Sequence, residues 1–312
     1  MNHQHDKDHC ECGHNHDNEY NRYEAVVEQS NVCIDDAQVA EAVNRILDEH
    51  CQENMTEAVY RQLLNSVDLT TLNTDDSEHS VAQFVQKVND FEQNHPDIEN
   101  VAAVCVYSNF AQIARAQLEV SKVNIAVCSA CFPSSQAHLE TKIAETALAI
   151  QDGADEVDIV LNVGYFRDEA WEELCDEISE IKHAMGDHHL KVILETGLLK
   201  TAQNIRRASL LAMYSGADFI KTSTGKGYPG ASIEAAYVMC QCIKEFYQKH
   251  GIKVGFKASG GIRTTDDAVR YYTIVKEVLG EEWLTNELFR IGASSLANAL
   301  LQSITSTDEK AF

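Results

Sequence analysis

The chain has 312 residues, enough for one large domain or two small ones. It carries 49 Asp and Glu against 25 Lys and Arg, and a formal net charge of −24 disfavours nucleic acid and anionic membranes as partners. Hydrophobic residues make up 44%, yet no run approaches the roughly 20 apolar residues of a membrane span, so the sequence predicts a cytoplasmic globular protein.

Any anionic substrate must then be held by a local positive site, since the global field repels it. Ten cysteines are present, and beyond Cys12 they follow no regular spacing. Several lie in apolar runs, such as Cys105 in VAAVCVY, and read as small buried hydrophobes with free thiols.

Residues 1–20 are almost devoid of apolar side chains, which predicts a disordered tail and no signal peptide. The tail holds His3, His5, His9, Cys10, Cys12, His14 and His16, a set able to bind Zn or Ni weakly. The alternative is a charged tail without a ligand. Residues 21–64 predict a helical extension. Over 35–50, Val39, Val43, Ile46 and Leu47 fall at helical spacing behind Asp35 or Asp36 as a cap, and a second short helix follows over 56–64.

From residue 65 short β-rich runs alternate with helical segments. The runs cover 66–69, 101–107, 123–128, 156–161, 190–195, 218–221, 253–257 and 288–291. Helical spacing appears between them, for example at 137–151, 169–185, 201–215, 232–249 and 265–279. Gly153, Gly186, Gly216, Gly251 and Gly280 follow these five segments, where helix-terminating glycines belong. The alternation predicts an α/β fold, a (β/α)8 TIM barrel over 65–302 with an N-terminal helical extension and a mobile tail over 303–312. An open doubly wound sheet is the alternative, but no GxGxxG follows the first run.

Charged residues inside the runs mark a site. Lys221 ends an apolar strand in FIKTSTGK, and Lys257 ends another in GFKASGGIRT. A buried lysine is costly unless it has a partner or a role. Two such lysines at neighbouring strand ends suggest a neutral amine nucleophile tuned by a nearby cation. The motifs GADEVD (153–158) and GADFIK (216–221) place Asp158 and Lys221 in the same register on alternate strands, so both can enter one layer of the barrel. Asp68 in SVDLTTLN is a further carboxylate in an apolar run. Gly260 and Gly261 follow strand seven; Gly292, Ser294 and Ser295 follow strand eight and open a helix. In (β/α)8 enzymes the loops after strands seven and eight often bind phosphate.

In order along the chain, DLTTLN, AAVCVY, GADEVDIV, LKVILETG, GADFIKTSTGK, GFKASGGIRT and LFRIGASS resemble motifs of deoxyribose-phosphate aldolases, particularly the longer eukaryotic type, over about three quarters of the chain. The resemblance implies reversible cleavage of 2-deoxy-D-ribose 5-phosphate to acetaldehyde and D-glyceraldehyde 3-phosphate, in deoxyribose phosphate catabolism, without a metal or organic cofactor. It implies that Lys221 forms a Schiff base, that Lys257 lowers the proton affinity of that amine, and that Asp158 moves protons. It implies substrate-binding roles for Asp68, Cys105, Thr224, Gly225, Lys226, Gly260, Gly261, Gly292, Ser294 and Ser295. The expected partner is a small phosphorylated sugar, and self-association into a homo-oligomer is open.

Three segments depart from the family pattern: Ala258-Ser259 in place of Pro-Ala, Ser108 in place of a proline, and the stretch Gly227–Ala231 beside the expected substrate mouth. The chain ends in Phe312, where some members carry a tyrosine. Two other functions remain: a Schiff-base aldolase for another phosphorylated aldol, or a metal-binding protein acting through its tail.

Overall fold

A computed structural model describes residues 16–312, with side chains described from Tyr23 onward. The metal-binding expectation at His3, His5, His9, Cys10, Cys12 and His14, and at the side chain of His16, lies outside the described residues. Three helices precede the first strand: α1 (His16–Ser30), α2 (Asp36–His50) and α3 (Glu57–Asn65). As the sequence indicates, Asp35 caps α2, its side chain accepting from the Ala37 amide at 2.8 Å. These helices pack outside the barrel, and Asp36 in turn accepts from the Ala202 amide at 2.7 Å.

The chain then runs through β1 (Val67–Thr70), α4 (Glu78–Asn94), β2 (Ala103–Tyr107), α5 (Ala111–Gln117), β3 (Asn124–Cys128), α6 (Leu139–Gln151), β4 (Glu156–Val160), α7 (Val163–Arg167), α8 (Trp171–Met185) and β5 (His189–Ile193). It continues through α9 (Thr196–Leu199), α10 (Ala202–Tyr214), β6 (Phe219–Lys221), α11 (Ile233–His250), β7 (Gly255–Ser259), α12 (Thr265–Leu279), β8 (Phe289–Ala293) and α13 (Leu296–Thr305). The strands pair in parallel in chain order, and β8 returns to β1, closing the barrel.

Each strand is buried on both faces because helices cover its outer side, which explains the near-continuous Val, Ile and Leu runs. All five helix-terminating glycines have positive φ, from +61° at Gly186 to +104° at Gly153. Gly255 has a different reason. A Cβ there would strike the Phe219 ring across the β6–β7 pair, so glycine makes room for the aromatic filler of the barrel. No helix among the described residues is long and apolar enough to cross a membrane.

The last residues meet the fold at several points. Phe312 packs on Phe91 with ring centroids 4.7 Å apart, and its backbone and that of Ala311 bond the Asn298 side chain at 2.7–3.0 Å. Glu309 lies 3.2 Å from His95. These contacts join the last turn of α4 to the first turn of α13.

Candidate active site

The pattern of inward residues builds the site. Side chains alternate along a strand, so Glu156 and Asp158 on β4 share a face, and register sets Asp158 beside Lys191 of β5. Register also aligns Lys221 with Lys257, and Lys257 with Arg290 of β8. Asp68 enters from β1. Seven ionisable groups therefore meet inside the barrel, each 4% exposed or less.

Asp158 is the hub. One oxygen accepts from Lys221 and Lys257, both at 2.8 Å, and the other accepts from Lys191 at 3.1 Å. Lys257 also donates to Asp68 at 2.5 Å, and Arg290 binds Asp68 at 2.7 Å and Glu156 at 2.8 Å. Lys191 pairs with Glu156 as well. Burial alone would raise the three carboxylic acids. The surrounding bases outweigh it and hold Asp68 and Glu156 below, and Asp158 well below, the ordinary carboxylate range. Burial would lower Lys257 too, but Asp158 and Asp68 win and hold it well above the ordinary lysine value. Asp158 is thus an ionised acceptor and Lys257 a cationic donor.

The network sets three carboxylates against four bases. A buried cluster with one excess positive charge favours release of one proton. Lys257 contacts two carboxylates, and so does Arg290; Lys191 has three within 3.9 Å. Lys221 contacts Asp158 alone among the described groups, and it is the network member that reaches the open cavity.

That cavity, of about 240 Å³, lies over the strand ends. Thr224, Gly225 and Lys226 form one wall, Gly260 and Gly261 the next, and Gly292, Ser294 and Ser295 another. The sequence thus foresaw most of the lining. Asp68 and Cys105 do not line it: both are fully buried, and Asp68 is ion-paired to Lys257 and Arg290. The lining residues Thr70, Asn73 and Arg263 were not singled out by sequence. Lys191, Glu156 and Arg290 were also missed, although each is a charge inside an apolar strand run, the same signal that marked Lys221.

The departures from the family pattern have local partners. Ser259 donates its hydroxyl to Ser223 O at 2.5 Å, tying β7 to the loop after β6. Ser108 donates to Glu145 at 2.7 Å, and Glu145 accepts from the Cys131 amide at 2.9 Å. In the 227–231 stretch, a Cβ on Gly230 would strike the Gly260 carbonyl, so glycine lets the two cavity loops touch. Tyr228 is half exposed and lies outside the cavity lining.

Cys105, Cys128 and Asp158 bring two sulfurs and a carboxylate oxygen within 4.8 Å of one another, a spacing that a soft metal could span. The three lysine ammonium groups on Asp158 oppose a cation there. The hydrogen bond between the two thiols lowers Cys105 and raises Cys128 well above the ordinary value. The arrangement as a whole offers an amine at a cavity floor, an ionised proton acceptor beside it, and a glycine- and serine-lined mouth. Chemically it can form and break an imine on a small carbonyl compound.

Known proteins resemble this chain over most of its length. A family model described as DeoC/LacD family aldolase matches residues 63–301. The deoxyribose-phosphate aldolase of Homo sapiens is 42% identical over 253 residues, covering 76% of this chain and 78% of that one. That of Mus musculus is 42% identical over 248 residues, with the same coverage. The tetrameric deoxyribose phosphate aldolase of Aeropyrum pernix shares the fold at a TM-score of 0.62 and 23% identity, covering 85% of this chain and 97% of that one. With three quarters of its length matched and an aldolase's barrel around the lysine cluster, the chain belongs to the DeoC/LacD family of aldolases.

Proposed function

We propose that the chain cleaves 2-deoxy-D-ribose 5-phosphate reversibly to acetaldehyde and D-glyceraldehyde 3-phosphate through a Schiff base on Lys221. The observation that carries the reading is Lys221 on the cavity floor, 2.8 Å from an Asp158 carboxylate that Lys191 and Lys257 also bind. Lys221 has the fewest carboxylate partners in the network and is the member that faces the cavity, so it is the amine placed to meet the substrate. The free amine attacks the aldehyde carbon of the open-chain sugar, and loss of water leaves an iminium. The iminium accepts the electron pair of the C2–C3 bond, the C3 hydroxyl loses its proton, and glyceraldehyde 3-phosphate departs. The enamine takes a proton at C2, and water releases acetaldehyde.

Lys257 supplies protons and Asp158 accepts them, with water between. Gly260, Gly261, Ser294 and Ser295 offer backbone and hydroxyl donors to the phosphate, and Lys226 and Arg263 add charge. The site calls for a small phosphorylated sugar as its partner. Cys105, Cys128, Cys240 and Cys242, buried as thiols, support a reducing cytoplasm. The tetrameric relative supports a homo-oligomer. The test is a substrate panel. Release of glyceraldehyde 3-phosphate from deoxyribose 5-phosphate and none from fructose 1,6-bisphosphate is the expected result; the reverse preference overturns the assignment.

A further inference from the structure

One buried carboxylate near the cavity takes no part in the lysine network. Glu195 follows β5 and is 3% exposed. Its backbone is left-handed, with φ 56° and ψ 59°. Glutamate rarely adopts that conformation, and a glycine there would be unstrained. Among the described residues no salt bridge within 4.0 Å reaches it. A strained backbone and a buried carboxylate with no ion pair within 4.0 Å persist only where the surroundings require the side chain.

Its partners show what it holds. Glu195 accepts the Thr224 hydroxyl at 2.6 Å and the Thr224 amide at 3.3 Å. The Thr224 oxygen accepts from the Lys226 amide at 3.0 Å. A hydroxyl has one proton, and here it goes to Glu195. Thr224 therefore has none left for a substrate, and its task is to transmit the position of Glu195 to Lys226. Between them Gly225 turns at φ +74°, a flexible joint without this brace. The Lys226 ammonium then bridges the cavity mouth to the Leu72 carbonyl at 2.5 Å.

We propose that Glu195 is a positioning residue that fixes Lys226 for the phosphate end of the substrate and so sets the preference for phosphorylated sugars. The inference rests on the proposed phosphate-binding function of this cavity. Burial raises Glu195 above the ordinary carboxylate value, and its bonds to Thr224 and the charge of Lys221 oppose the rise.

The test compares deoxyribose 5-phosphate with unphosphorylated 2-deoxyribose. Glu195→Gly removes the brace and the left-handed strain together, so the variant keeps a backbone-compatible residue. The ratio of kcat/KM between the two sugars is expected to fall about tenfold, through a higher KM for the phosphorylated one. Glu195→Gln, whose amide oxygen still accepts the Thr224 hydroxyl, is expected to restore the ratio to within about threefold. An unchanged ratio in the glycine variant, or equal losses on both sugars, overturns the proposal; so does a glutamine variant no better than the glycine one. Failure of the Schiff-base reading is read separately, as absent borohydride trapping in the wild-type enzyme with acetaldehyde, which carries no phosphate.

Discussion

Replacing Lys257 with leucine probes how the lysine pair works. Lys221 and Lys257 each lie 2.8 Å from the same Asp158 oxygen, so their nitrogens are no more than about 5.6 Å apart. At that separation and an effective dielectric of about 20, two positive charges repel by about 3 kcal/mol, equivalent to about two pH units. The Lys257 cation disfavours a second cation, so it favours the free amine that attacks the carbonyl. Removing it leaves three bases against three carboxylates, and the excess charge that favours proton loss disappears. The acid limb of the kcat/KM profile for deoxyribose 5-phosphate should move to higher pH by about one to two units. Asp68 keeps Arg290, and Asp158 keeps Lys191 and Lys221, so no carboxylate is left alone. Circular dichroism on the variant checks the fold. An acid limb within about 0.3 units of wild type would refute the reasoning and assign the activation to burial.

Two further outcomes follow from the same geometry. Glu156 is held below its unfolded value, because Lys191 and Arg290 outweigh burial, so it binds fewer protons folded than unfolded. Its contribution to stability is complete above about pH 5.5 and is lost as pH falls through the unfolded value towards the lower folded one. Glu156→Gln should therefore cost about 3–5 kcal/mol at pH 7 and progressively less below about pH 5 in thermal unfolding; a constant gap contradicts the ion-pair account. Removing residues 306–312 should change turnover by less than about threefold, under ~0.7 kcal/mol of barrier, because Phe312 docks on Phe91 and no residue of this segment lines the cavity. A hundredfold slower deuterium exchange into the methyl group of acetaldehyde would give the tail a catalytic role.

Much of this architecture was legible in the chain. All eight strands fall on the expected runs, because a parallel barrel needs apolar residues on both strand faces. Their ends shift by one or two residues where the apolar run outlasts the pairing, as at 101–102 and 253–254. Lys221 and Asp158 were recognisable from the repeated turn before each. Lys191, Glu156 and Arg290 were not, because each sits within its strand and not at the catalytic end, and reads as a stray charge until the register brings it inward. The same limit applies to Asp68. Its sequence suggested a substrate contact, but closure of the barrel commits it to Lys257 and Arg290. Glu195, in LKVILETG, carries no such signal, since its left-handed backbone leaves no trace in composition or period.

The central claim is that Lys221 carries the covalent intermediate. Borohydride reduction with deoxyribose 5-phosphate or acetaldehyde, followed by peptide mass mapping, tests it directly. Inactivation with a reduced two-carbon adduct on Lys221 after acetaldehyde treatment is the predicted result. An adduct confined to Lys257, or none at any lysine, would contradict it.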